Sequence, residues 1–172
     1  DALVVDQVNN PGGSLFYMYA LLSRLPDKPL KAPLQKVAVG EEDAYESLQT
    51  LMAAQQVVSE AQVKQILGPS IGGYATTLKL LKQMVAYAAF IYQELRAGKR
   101  VTDLFPFLGI DKIAPHPTDR YTKPLLLLVN ELDFSCGDFL PAILQDNGRA
   151  TVFGVRTAGA AITIRIRTVA TI

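Results

Sequence analysis

The chain of 172 residues contains one cysteine, one histidine and no tryptophan. A single cysteine excludes an internal disulfide and any cysteine-based zinc cluster. A single histidine excludes the H-E-x-x-H motif and other histidine-rich metal sites. The sequence therefore predicts no metal site and no bound cofactor.

The chain also has no excess of charge of one sign, because it contains 17 Lys and Arg residues and 16 Asp and Glu residues. The chain therefore lacks the excess of positive charge that would attract nucleic acid or an anionic membrane. The longest apolar runs, such as Leu125 to Val129, fall far short of the ~20 residues that cross a bilayer. We expect no nucleic-acid partner and no membrane span. With 49% hydrophobic and 19% charged residues, the chain is predicted to be one globular domain or most of one.

Short apolar segments alternate with segments of helical periodicity, which is typical of an α/β fold. Strands are predicted at residues 2–8, 125–130, 150–155 and 161–172, and helices at 15–25, 41–58, 59–67, 74–96 and 139–147. The solid apolar run at 125–130 predicts a central strand buried on both faces. Residues 99–122 show no sustained period and are predicted to form a long ordered loop, whereas the helical block at about 41–98 is predicted to be an insertion or a flanking layer.

Two segments combine a strand end, a sharp turn and a helix start, where α/β proteins place reactive groups. They are residues 9–14 and 130–138. Ser135 is predicted to open a helix, near unpaired N–H groups that can hold an oxyanion. Gly12 and Gly13 allow backbone N–H groups to point into a shared cleft. Two acidic residues flank the second turn and are candidates for orienting the loops: Glu131 and Asp133.

Each of these residues also has a purely structural interpretation. Ser135 with Asp138 forms a capping-box pattern, and the glycine pair alone is typical of a turn. Cys136 lies near a predicted helix N-terminus, which lowers a thiol pKa, yet a lone cysteine is commonly an inert core residue. His116 lies in a proline-flanked loop and is either a base or a structural residue. The local patterns leave these alternatives open.

Two long segments resemble the carboxy-terminal processing, or tail-specific, serine protease family. The first is residues 3–14, with the sequence LVVDQVNNPGGS, and the second is residues 123–138, continuing through 145–154 to 156–159. Within the family they are most similar to the branch that contains the chlamydial protease-like activity factor. Together the segments cover about a third of the chain, in the order that the family has.

The resemblance implies a serine-type endopeptidase with a crotonase/ClpP-like ββα core and a helical insertion. On the matching positions, Ser135 is the nucleophile and the N–H of Cys136 is one oxyanion donor. The second donor comes from Gly12 or Gly13, and the motif does not distinguish them. The first implied partner is a protein or peptide substrate. The second is either another copy of this chain, in a homodimer, or the missing part of the domain. The implied location is secreted or periplasmic.

The chain also departs from the family pattern. Bacterial tail-specific proteases place a general-base lysine where this chain has Ala160, so a Ser-Lys dyad is not expected. The chlamydial branch resembles a Ser-His-Glu arrangement whose His precedes, and whose Glu follows, the region of this chain. His116 does not match that His. We therefore expect residues 1–172 to be an incomplete catalytic domain, inactive alone. The alternatives are a non-catalytic ligand-binding module and an acyl-CoA-handling crotonase-like enzyme on the same fold.

Overall fold

The computed structural model describes residues 1–159, which divide into two compact units. Of the described residues, the first unit contains 1–15 and 123–159, and the second contains 16–122. The strand predicted at 161–172 lies outside the described residues. Among the helices that the structure describes, none has the length and apolar character needed to span a bilayer.

Helices and strands alternate along most of the described chain, so the predicted mixed α/β class is confirmed. In chain order the elements are β1 (Leu3–Asp6), α1 (Leu15–Ser23), β2 (Leu30–Lys31), β3 (Leu34–Gln35), α2 (Glu41–Ala54), α3 (Glu60–Leu67), β4 (Ser70–Ile71), β5 (Tyr74–Ala75), α4 (Leu78–Arg96), β6 (Phe105–Pro106), β7 (Lys112–Ile113), β8 (Leu125–Val129), α5 (Cys136–Asp146) and β9 (Thr151–Gly154). A single 3-10 turn, Phe107–Gly109, lies between β6 and β7.

The first unit is built on a parallel sheet with the strand order β1-β8-β9. Leu3 lies opposite Leu125 in the β1–β8 pair, and Val129 lies opposite Gly154 in the β8–β9 pair. Parallel neighbours need a crossover connection, and α5 provides it between β8 and β9. All three strands therefore end at one edge of the sheet, where the loops after β1 and β8 meet.

The central strand β8 is fully buried on one face only. Leu125, Leu127 and Val129 are buried, whereas Leu126 and Leu128 are half-buried. The neighbouring strands are exposed beside this second face, with Val4 of β1 55% and Phe153 of β9 68% exposed. The prediction of a strand buried on both faces is therefore wrong for the second face. One helix, α5, contacts this sheet within the unit and buries three apolar side chains at helical spacing: Leu140, Ile143 and Leu144.

The second unit contains the predicted helical block together with three two-stranded ladders. Helix α4 contacts both α2 and α3, and its buried side chains are those of Leu80, Ala88 and Ile91. Phe90 of α4 stacks on Phe105 with the ring centroids 4.2 Å apart. These apolar side chains hold α4 against its neighbours.

The helix predicted from Tyr74 begins at Leu78 instead. Residues 74 and 75 pair with β4 in a hairpin whose turn is Gly72-Gly73, with φ of 54° and 81°. Two successive residues at positive φ are typical of a tight hairpin turn. The side chain of Thr77 then caps the first turn of α4.

The segment predicted as a loop at 99–122 contains β6 and β7, which pair with β3 and β2. These ladders are two residues long, too short to show a period in the sequence. Helix α2 ends at Ala54, four residues before its predicted end. Ser59 and Gln62 form a capping box at the start of α3, and Gly98 follows α4 with a positive φ of 79°.

Candidate active site

Ser135 occupies the turn between β8 and α5 in a rare backbone conformation. Its φ is 58° and its ψ is −117°, and it is one of three non-glycine residues at positive φ in the described chain. A conformation of this kind costs about 1–3 kcal/mol and persists only where the surrounding structure imposes it. Sharp, strained strand-to-helix turns are also how α/β hydrolases present a nucleophilic serine.

The side chain of Ser135 does not cap helix α5. The carboxylate of Asp138, the other member of the capping-box pattern, accepts a hydrogen bond from the N–H of Gly159 at 2.8 Å instead. The capping-box interpretation of Ser135 and Asp138 is therefore wrong. The hydroxyl of Ser135 is not committed to the end of its own helix.

The loop after β1 packs directly against this turn. A Cβ atom added at Gly12 would lie 2.5 Å from the carbonyl oxygen of Phe134, 2.7 Å from the nitrogen of Cys136 and 2.9 Å from Cβ of Ser135. Gly12 has a φ of 86°, which favours glycine in any case. The two segments predicted to meet in a shared cleft do lie together.

The backbone N–H groups at this junction differ in their availability. The N–H of Gly12 donates to Oδ1 of Asn10 at 2.9 Å, so that donor is already used. Within the described chain no group accepts from the N–H of Gly13 or from that of Cys136. A Cβ added at Gly13 would meet nothing within 4 Å, so the space beside that residue is open.

The Cys136 thiol is half-buried and donates to the carbonyl oxygen of Gly13 at 3.2 Å. Desolvation raises the pKa of the Cys136 thiol above its ordinary value, and the contact with Gly13 opposes this shift only in part. This direction favours the interpretation of Cys136 as an inert residue over a reactive thiol. The backbone nitrogen of Cys136 lies beside Gly12, 2.7 Å from the position of an added Cβ.

A partly buried polar network lies beneath the two loops, and we call its four members Gln7, Asn10, Asn130 and Asp133 the Asp133 network. Oδ1 of Asp133 accepts from the N–H of Asn10 at 2.9 Å. Oδ2 accepts from the N–H of Asn130 at 2.9 Å and from Nε2 of Gln7 at 3.1 Å. Of the two acidic residues that flank the turn, Asp133 is fully buried and Glu131 is exposed.

Sequence reasoning did not single out Gln7, Asn10 or Asn130. Two more hydrogen bonds join the same loops. Asn130 Nδ2 donates to Asn9 Oδ1 at 2.8 Å, and the N–H of Asn9 donates to Asn130 Oδ1 at 3.0 Å. The available signal was the concentration of amide side chains directly after two strands that end at the same edge.

His116 belongs to the second unit and takes part in a local loop structure. Its Nδ1 accepts from the N–H of Asp119 at 3.1 Å, and its own N–H donates to the carbonyl oxygen of Ser23 at 2.7 Å. Asp119 in turn binds Arg24 at 2.7 Å, and this bond lowers the pKa of the Asp119 carboxyl. These contacts favour the structural interpretation of His116. Ala160 lies outside the described residues, and the part of the chain that is described contains no group of side chains arranged for a metal ion.

Comparison with known proteins identifies the family of this chain. The model of peptidase family S41 matches residues 1–170. The chain belongs to this family. The predicted resemblance to the carboxy-terminal processing proteases is thereby confirmed.

Proteins similar to this S41 chain occur in Chlamydia. A protein of Chlamydia muridarum (strain MoPn / Nigg) is 42% identical and one of Chlamydia trachomatis serovar D is 38% identical, each over 161 residues and 93% of this chain. The structure of mature CPAF complexed with lactacystin is 38% identical over 92% of this chain, with a TM-score of 0.87. The predicted branch is confirmed. The chain spans 27% of the length of each of these two relatives and 31% of that CPAF chain.

Proposed function

We propose that the protein containing this chain is a serine-type endopeptidase that cleaves peptide bonds through an acyl-enzyme on Ser135. In this reaction Oγ of Ser135 attacks the peptide carbonyl, the amine leaves with a proton, and water then releases the acyl group. The observation that carries the proposal is the approach of the Gly12 loop to the Ser135 turn, within the distances given above. Membership of a peptidase family supports it further, and favours neither the ligand-binding module nor the acyl-CoA enzyme.

In this proposal the oxyanion is bound by the N–H groups of Cys136 and Gly13. Both N–H groups lack an acceptor in the described chain, whereas the N–H of Gly12 is held by Asn10. This difference supports Gly13 over Gly12 as the second donor. Two such donors aimed at the developing charge supply the largest single contribution to acyl transfer, because they need no reorganisation during the reaction.

The general base is proposed to lie outside residues 1–172, as the Ser-His-Glu pattern of the chlamydial branch implies. The described part of the first unit contains no histidine, since the one histidine of the sequence is His116 in the second unit. We propose that the base and its acidic partner come from other parts of the protein.

The finer architecture is proposed on the same grounds. The parallel order β1-β8-β9, with α5 between β8 and β9, supports a crotonase/ClpP-like ββα core. We propose that residues 1–172 belong to one catalytic domain, with the helical block at about 41–98 as its insertion. Homodimer formation, or association with the rest of the catalytic domain, remains a prediction that size measurements on the complete protein test.

A fluorophosphonate probe tests the assignment of Ser135 directly. The complete protein is labelled and digested, and the modified peptide is identified by mass, beside Ser135→Ala and the exposed control Ser70→Ala. We expect labelling on residue 135, abolished by Ser135→Ala and retained by Ser70→Ala. Since mature CPAF forms a complex with lactacystin, we also expect prior incubation with lactacystin to slow the labelling. Unchanged labelling of Ser135→Ala would contradict the proposal.

A further inference from the structure

Asp133 joins the two loops that carry the proposed oxyanion donors. It lies two residues before Ser135, and its side chain has no exposure to solvent. One carboxylate oxygen holds the loop after β1 through the N–H of Asn10, while the other holds the loop after β8 through the N–H of Asn130. The carbonyl oxygen of Asp133 accepts from the N–H of Ala158 at 3.0 Å, which adds the segment after β9.

Only a carboxylate satisfies this arrangement. The three groups around the side chain of Asp133 are all donors: two backbone N–H groups and the amide of Gln7. An ionised carboxylate accepts at both oxygens, whereas an asparagine side chain would turn its NH2 group toward at least one donor. Hydrogen bonds to an ionised group are about twice as strong as neutral ones, which offsets the cost of burying this charge.

The same network fixes the turn that presents Ser135. Nε2 of Gln7 donates to Gly137 as well as to Asp133, with a distance of 2.8 Å to the Gly137 carbonyl oxygen. The N–H of Phe134 donates to the carbonyl oxygen of Asn10 at 2.9 Å. A Cβ added at Gly137 would lie 2.6 Å from that same oxygen, so the backbones touch here. Movement of Asp133 would therefore shift both loops.

We propose that Asp133 is a positioning residue for acyl transfer at Ser135, which holds the N–H groups of Gly13 and Cys136 at the separation that the oxyanion requires. This inference rests on the proposed function. Asp133 does not reach the substrate, and it acts through the backbone of the two loops. Removing its acceptor should thus impair the transition state more than substrate binding, because misplacement of reacting groups by about 1 Å costs about 100-fold in rate.

The test measures hydrolysis of fluorescein-labelled casein by the complete protein, its Asp133→Asn variant and the matched control Asp146→Asn, an exposed residue at the far end of α5. We expect kcat to fall at least about tenfold in Asp133→Asn with KM within about twofold of wild type. Asp146→Asn should match wild type. A rise in KM with unchanged kcat, or a folded Asp133→Asn with wild-type kcat, overturns the inference.

Amide hydrogen exchange provides a readout that does not depend on activity. We expect faster exchange of residues 9–14 and 130–138 in Asp133→Asn than in Asp146→Asn.

If Asp133→Asn does not fold, the variant Gln7→Leu replaces it. We then expect a smaller fall in kcat and the same exchange pattern. Unchanged kcat and exchange in the Gln7→Leu variant then overturn the inference. If wild-type hydrolysis survives Ser135→Ala, the proposed function fails, and exchange alone decides whether Asp133 positions the loops.

Discussion

Replacing Gly12 by alanine tests the close approach that assembles the site. The new methyl group would lie 2.5 Å from the Phe134 carbonyl oxygen and 2.7 Å from the Cys136 nitrogen, both backbone atoms that cannot rotate away. The residue must also keep a φ of 86° or force the loop to move. We therefore expect Gly12→Ala to separate the loop after β1 from the turn at Ser135.

The expected loss of stability in the Gly12→Ala variant has two parts. An alanine in a left-handed conformation costs about 1–2 kcal/mol, and overpacking against fixed neighbours costs about 1–3 kcal/mol more. Gly148→Ala isolates the first part, because Gly148 has a φ of 60° and an added Cβ would meet nothing within 4 Å. We expect Gly12→Ala to lower the free energy of unfolding by about 2–5 kcal/mol and Gly148→Ala by about 1–2 kcal/mol.

Urea unfolding of both variants beside wild type measures this difference, and fluorophosphonate labelling of Ser135 measures its consequence for the site. The labelling rate should fall in the Gly12→Ala variant under conditions where it is still folded, and should be unchanged in the Gly148→Ala variant. Equal losses of stability in the two variants, with equal labelling, would refute the argument that the backbones touch at Gly12.

Three further outcomes follow from single contacts. Ser59→Ala removes the side chain that accepts from the N–H of Gln62, and thermal unfolding should show a loss of about 1 kcal/mol; no loss would mean that the cap is not formed. Gly109→Ala places a Cβ in overlap with the carbonyl oxygen of Gln83, so we expect a loss of at least about 2 kcal/mol, and a neutral result would contradict this packing. Because burial raises the pKa of the Cys136 thiol, the folded state favours the neutral thiol. The resulting contribution to the free energy of unfolding is lost as the pH rises through the pKa of the folded state. Iodoacetamide should accordingly modify native Cys136 more slowly than the urea-unfolded chain near neutral pH, and equal rates would exclude the shift.

Features that depend on a few neighbouring residues could be predicted from the sequence. The cap at Ser59 and the glycine after α4 are local devices, in which one side chain or one backbone conformation completes a helix end. The parallel strands β1 and β8 were predicted because each is an apolar run followed by a turn. Two-residue ladders such as β2–β7 were missed, since their partners lie about 80 residues apart and carry no period.

The polar network beneath the site could not be predicted in the same way. Gln7 and Asp133 are 126 residues apart in the chain, and only the register of β1 against β8 brings them together. Gln7 is likewise buried although it directly follows a strand whose residues are half-buried or exposed, and its side chain contacts Asp133 and Gly137 of the distant turn. Asp133 was recognised as a flanking residue, but its three donors become visible only in the structure.

The two halves of a serine-protease site therefore differ in how clearly a sequence marks them. An oxyanion hole is made of backbone N–H groups, and bringing two backbones into contact demands glycine at Gly12 and Gly137 and a strained turn at Ser135. These demands restrict the residue types over a continuous stretch, so they leave a motif. A general base needs only one side chain within hydrogen-bonding reach of the hydroxyl, and it can be supplied by any element of the fold. For this reason the family resemblance could name the proposed nucleophile and one oxyanion donor, with Gly12 and Gly13 left open as the second, whereas the base must be located by labelling and kinetics on the complete protein.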